Sequence, residues 1–186
     1  MEMMLDIETL DTAPTAVVFQ IGAIVWDKLS RDADNNVITS EGAELLVELP
    51  IDEQKNKGRT ASFDTMQWWL KSPQNNVMEA FKLKNFPPDY KVVDGLTVFR
   101  DQAAECNRIW AKTFFDFIIL EHMLPFYDIP VPWHGGQRRD LCTLMKECGV
   151  NKPAGGNPHH ALEDCKQQID QLLKCREVIN VGQAFL

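Results

Sequence analysis

The chain has 186 residues, 45% of them hydrophobic, and a net charge of −8. That length fits one domain spanning 1–186, with enough apolar side chains for a core without cross-links. The acidic balance argues against a generic nucleic-acid-binding surface, and the lack of any apolar run of about 18 residues argues against a membrane span.

Residues 5–10 read as a short strand and 17–26, rich in Val, Ile, Phe and Trp, as a buried one, with a turn at 12–15 between them. The polar stretch 27–36 reads as a hairpin-like loop, and 45–49 as a third strand stopped by Pro50. Three strands in quick succession predict an antiparallel meander. Residues 52–62 read as a mobile polar connection whose Lys55, Lys57 and Arg59 form a basic loop able to touch phosphates. Asp64 is a candidate cap for a helix carrying Trp68, Trp69 and Leu70, with Pro73 beyond it. Neighbours on a helix diverge by about 100°, so at most one of the two tryptophans is core and the other can face a ligand.

Residues 89–93 fit no element well, and Asp94 can cap a helix reaching about 107 that buries Leu96, Phe99, Ala103 and Ala104. Residues 108–113 read as a strand and 116–127 as a helix burying Phe117, Leu120 and Leu124. Residues 131–133 are too short to assign, and 140–148 read as a helix ending before Gly149. Asn157 can cap a last helix that has Pro158 at its first position and runs to about 179. Strands followed by alternating helices and strands predict an α/β layer fold with a mixed sheet.

The N-terminal residues lack a basic segment leading into a long apolar stretch, so no secretory signal is expected. Five cysteines, Cys106, Cys142, Cys148, Cys165 and Cys175, include no C-x-x-C pair and read as reduced thiols of a cytoplasmic protein, not as disulfides or a zinc site.

Three segments carry possible chemistry. In Asp6-Ile7-Glu8 the two acids share one face of a strand, about 7 Å apart along it. Their repulsion needs compensation, either by solvent at an exposed edge or by a hard cation such as Mg²⁺ or Mn²⁺. Asp116 lies among aromatics after a strand-like run and is either a helix cap or a further ligand. His159 and Asp164, in His159-His160-Ala161-Leu162-Glu163-Asp164, are about 140° apart round a helix. They do not share a face, yet can border one site, with His159 reaching from the helix end.

D-x-E, F-D-x-x-x-L and H-x-A-x-x-D, in that order, resemble the DEDDh exonuclease superfamily over nearly the whole chain. Within it the sequence is most similar to phage exonuclease A and prophage-borne relatives. Gln54-Lys55, Gly58-Arg59, residues 65–70, Pro132-Trp133 and Arg139-Asp140 support this, although no role is read for Arg139 or Asp140. Two departures stand out: Thr9-Leu10-Asp11 lacks a glycine common in many relatives, and Ala111-Lys112-Thr113-Phe114-Phe115 stands where relatives more often carry small or polar residues.

The resemblance implies a ribonuclease H-like fold, a five-stranded mixed sheet flanked by helices. It implies two Mg²⁺ or Mn²⁺ ions per site, with Asp6, Glu8 and Asp164 holding one and Asp6 and Asp116 the other. His159, chosen over His160 by the motif spacing, would deprotonate the attacking water. Thr9, Leu10 and Phe115 would touch the terminal nucleotide. The expected activity is 3′-to-5′ removal of nucleoside 5′-monophosphates from single-stranded DNA. A 3′-5′ exoribonuclease is the alternative, followed by a catalytically idle nucleic-acid-binding module. A homodimer is implied only by analogy with relatives.

Overall fold

A computed structural model describes residues 1–40, 42–71, 86–151 and 159–183. A five-stranded sheet has the order β5-β2-β1-β6-β7. Its strands are β1 (Glu2–Thr9), β2 (Val18–Trp26), β5 (Ala43–Glu48), β6 (Arg108–Ala111) and β7 (Arg138–Asp140). β5, β2 and β1 pair antiparallel, which is the predicted meander, whereas β1–β6 and β6–β7 are parallel. The sheet is therefore mixed and flanked by helices, as expected of the ribonuclease H-like class.

Alternation along β1 explains the layering. Met3, Leu5 and Ile7 point to a core shared with α3 (Val92–Ala104) and α4 (Phe114–Phe126). Met4 points the other way, to a second core with α5 (Leu141–Cys148) and α6 (Ala161–Gln183). On that second face the strand changes character along its length: Met4 is apolar, and Asp6 and Glu8 follow at two-residue steps. β2 is buried throughout, as a strand covered on both faces should be.

Several local expectations are revised. Residues 27–36 are not simply a loop: β3 (Lys28–Arg31) pairs antiparallel with β4 (Val37–Ser40) in a separate ribbon, turning at Asp32 to Asn36. Arg31 pins this ribbon to α6 through Asp170 (2.8 Å) and Glu177 (2.9 Å). The supposed mobile connection 52–62 contains α1 (Ile51–Asn56) and is tied to β2: the Gln54 amide accepts from Val18 N at 2.9 Å and donates to Val18 O at 2.6 Å. Arg59 is buried, with its guanidinium on the Ala16 carbonyl, so it is not part of a solvated basic loop.

The caps differ as well. Ser62 Oγ, not Asp64, accepts Thr65 N–H at the start of α2 (Phe63–Lys71). Asp94 lies inside α3 and reaches back to Lys91 N–H at 2.7 Å; that helix ends at Ala104, which is exposed. Asp140, given no role from the sequence, caps α5 by accepting Thr143 N–H at 2.7 Å, and Gly149 closes it with φ 67°, a left-handed position that favours glycine. Asn157, Pro158 and Pro73 lie outside the described residues. No helix among the described residues is long and apolar enough to cross a membrane.

Candidate active site

The site forms at the carboxyl end of β1, where the sheet opens. The β1–β6 ladder runs only from Glu2 to Met4. Beyond it the Ile7 N–H donates to Asp116 Oδ1 at 3.1 Å, so a side chain takes the place of the missing strand partner. Asp116 is not the cap of its helix. Thr113 is, with its Oγ1 accepting Phe115 N–H at 3.3 Å, and Asp116 sits in the first turn, buried. On the other side of β1 the register places Asp6 opposite Gly22 and Glu8 opposite Gln20, with a bulge between Glu8 and Thr9. Bulges recur beside active sites because they re-aim side chains.

Gly22 lets α6 approach. A Cβ there would collide with the backbone of Ala161 and Leu162. The buried Gln20 Oε1 accepts Ala161 N–H at 3.4 Å, satisfying one of the first amides of the helix. The first turns of α6 thereby lie on the acidic face of β1, bringing Asp164 to Glu8. His159 does not fall in the helix; it precedes α6 with φ 78°, and its N–H donates to Asp164 Oδ2 at 3.0 Å. The His159 ring lies edge-on to Trp68, 4.5 Å between centroids, and to Trp69, 5.3 Å. One donor atom from each of Glu8, His159 and Asp164 lies within 4.8 Å of the others. Asp6 and Asp116 fall outside that trio but sit close enough for mutual repulsion.

The electrostatics follow from crowding four acids together, with Glu8 and Asp116 buried. Burial, then Asp164 and Asp116, pushes Glu8 up to about 8 against the opposing pull of Lys112. Asp116 is pushed up to about 7 by burial, which outweighs its backbone hydrogen bonds and Lys112. Asp6 is raised well above the usual carboxylate range by burial and by Asp116, Glu8 and Asp164, with Gln168 opposing. Oxygen donors alone, or with one imidazole, suit a hard divalent cation, and a cation would remove the repulsion that raises these carboxyls. The residues present therefore fit such a group.

A cleft of about 580 Å³ opens beside Glu8, lined by Thr9, Asp11, Ser62, Thr65, Trp68 and Phe115 among others. Of the predicted nucleotide contacts, Thr9 and Phe115 border it. Leu10 does not; its side chain packs on Val17, Phe19 and Trp69. The two tryptophans divide as geometry requires: Trp69 is buried, with Nε1 donating to Thr9 O at 3.0 Å, and Trp68 is half exposed.

Sequence reading missed Gln20, Gly22, Lys112 and Gln168. Only Gln168 had a visible signal, standing four residues after Asp164 on a predicted helix. Arg139, without a predicted role, bonds the carbonyls of Gly136 and Arg138.

Compared with known proteins, residues 1–175 match the family model of the 3′-5′ exoribonuclease Rv2179c-like domain. No curated protein matches the chain.

Proposed function

Because the chain belongs to the Rv2179c-like 3′-5′ exoribonuclease domain family, and is a 3′-5′ exonuclease acting on phosphodiester bonds, we propose that it shortens RNA from the 3′ end and releases nucleoside 5′-monophosphates. RNA replaces the expected single-stranded DNA, because the matched family is one of exoribonucleases. The likeness to phage exonuclease A rests on short ordered motifs alone and adds nothing to the substrate assignment. The observation that carries the reading is the crowding of Asp6, Glu8, Asp116 and Asp164, from β1, α4 and α6, next to a cleft that Glu8 lines.

Asp6, Glu8, Asp116 and Asp164 would hold the divalent cations. Bound there, the cations would supply positive charge that offsets the negative charge of the phosphodiester, acidify the attacking water and stabilise the departing 3′ oxygen. His159 would accept the proton from that water; its position on a backbone turn fastened to Asp164 fixes the ring at the edge of the acids. Trp68 and Trp69 lie edge-on to the ring, a contact that would restrict its rotation. Phe115 and Trp68 offer ring faces for a terminal base, and such stacking tolerates any sequence. The hydroxyls of Thr9, Ser62 and Thr65 line the same cleft, where a ribose adds a 2′-OH that both donates and accepts.

The test uses matched RNA and DNA oligomers labelled at the 5′ end, with Mn²⁺ or Mg²⁺ and then with chelator. Stepwise shortening of RNA that stops in chelator is expected. Faster shortening of DNA would overturn the RNA assignment, and full activity in chelator would overturn the role of the acids.

A further inference from the structure

Gln168 is a core amide whose one carboxylate partner among the described residues is Asp6. It lies on α6 one turn beyond Asp164, so both side chains leave the helix on the side that packs against β1 and β2. It is 2% exposed, and its Nε2 donates to Asp6 Oδ1 at 2.7 Å. Its Oε1 is buried and has no hydrogen-bond partner among the described residues. A buried carbonyl left unpaired is costly, and an apolar side chain of similar size would fill the same space without that cost. An amide at this place therefore needs a reason other than packing, and its bonded partner supplies one.

Two of the other acids are oriented differently. Asp116 is held by the backbone N–H of Ile7 and Asp164 by that of His159. Asp6 sits in mid-strand, opposite a glycine that has no side chain to steady it. We propose that Gln168 is the positioning residue for Asp6, fixing one carboxylate oxygen so that the other is presented to a divalent cation. A neutral amide suits this task. It orients the carboxylate without cancelling the charge that attracts the cation, which a lysine or arginine at 168 would do. Partners of this kind behind metal ligands change metal affinity by about 10–100-fold when removed.

The proposal rests on Asp6 being a metal ligand, and the experiment separates the two. Metal-stripped wild type, Gln168→Leu, Gln168→Met, Gln171→Leu and Asp6→Asn are titrated with Mn²⁺ in a calorimeter without RNA. RNA shortening is then followed over a Mn²⁺ series. Gln171 is a second buried glutamine of α6, one that is not bonded to Asp6, and controls for loss of a core amide.

Both Gln168 variants should bind Mn²⁺ about tenfold more weakly or worse, need correspondingly more Mn²⁺ for activity, and recover most of kcat at saturation. Gln171→Leu should bind like wild type. Wild-type Mn²⁺ affinity in a folded Gln168→Met protein, with Asp6→Asn impaired, overturns the positioning role and leaves Asp6 as a ligand. Wild-type affinity in Asp6→Asn overturns the ligand assignment itself. The Met variant keeps the side chain's length, so the comparison survives if the Leu variant fails to fold.

Discussion

Asp116 Oδ1 accepts the Ile7 N–H at 3.1 Å, joining the first turn of α4 to β1 at the point where the β1–β6 ladder has ended. One carboxylate thus closes the sheet with one oxygen, and in the proposed site the other would serve a cation. The two tasks are separable. Asp116→Asn keeps an oxygen for Ile7 and should unfold in urea close to wild type while losing at least 100-fold in RNA shortening. Asp116→Ala leaves the buried N–H unpaired and should lose about 1–3 kcal/mol of stability as well. An Asn variant with wild-type turnover would remove Asp116 from the site.

The acids also predict a pH signature. Glu8 is pushed up to about 8 by burial and by its acidic neighbours, so in the metal-free protein the folded state keeps a proton that the unfolded chain has lost. A raised carboxyl pKa means stability that is full below the unfolded value of about 4 and declines as pH rises toward the folded value. Glu8→Gln removes that decline. In chelator its unfolding free energy should gain on wild type steadily from about pH 5 to about pH 8, then run parallel. Added Mn²⁺ should reverse the ranking at high pH. A constant difference between the two proteins across this range would contradict the account.

Gly22 sets how closely α6 approaches the acids. A Cβ at that position meets the backbone of Ala161 and Leu162, and backbone cannot swing aside as a side chain can. Gly22→Ala should cost about 1–3 kcal/mol in urea unfolding, in the range of overpacked cores. It should also weaken Mn²⁺ binding, because Asp164 travels with the helix. Unchanged stability would mean that the helix start yields without penalty.

Trp68 and Trp69 are adjacent and should fail in opposite ways. Trp69→Ala empties a buried site and strands the Thr9 carbonyl, so a loss of about 3–5 kcal/mol is expected with expression falling accordingly. Trp68→Ala removes a half-exposed ring that borders the cleft and touches the His159 ring. Its stability should stay within about 1 kcal/mol of wild type. Its kcat/KM on RNA should drop at least tenfold. Equal effects of the two substitutions on stability would refute the division.

Much of this was legible from residue order, and the failures have physical causes. β1, β2 and β5 announced themselves through apolar runs bounded by turn residues. β3, β4 and β7 did not, because strands of four and three residues carry too little periodicity. The start of the last helix, at Ala161, was misread because His159 adopts a left-handed turn that no spacing rule reveals. Asp116 resembled a cap because an acid near a helix start usually is one; its partner lies 109 residues away in the chain. Gly22 acquires meaning only once the register sets it against Asp6.

Residues 52–62, for their part, lacked hydrophobic pattern because their order comes from polar bonds. The Gln54 amide grips both backbone groups of Val18, much as the peptide of a neighbouring strand would, and Arg59 is fastened to Ala16. The chain leading into α2 is thereby ordered before any nucleotide arrives, and so is the cleft wall that α2 carries. The entropy of fixing that wall belongs to folding and not to binding, so more of each stacking contact reaches the net affinity. A very short RNA end, with few contacts to offer, gains most from a wall of this kind.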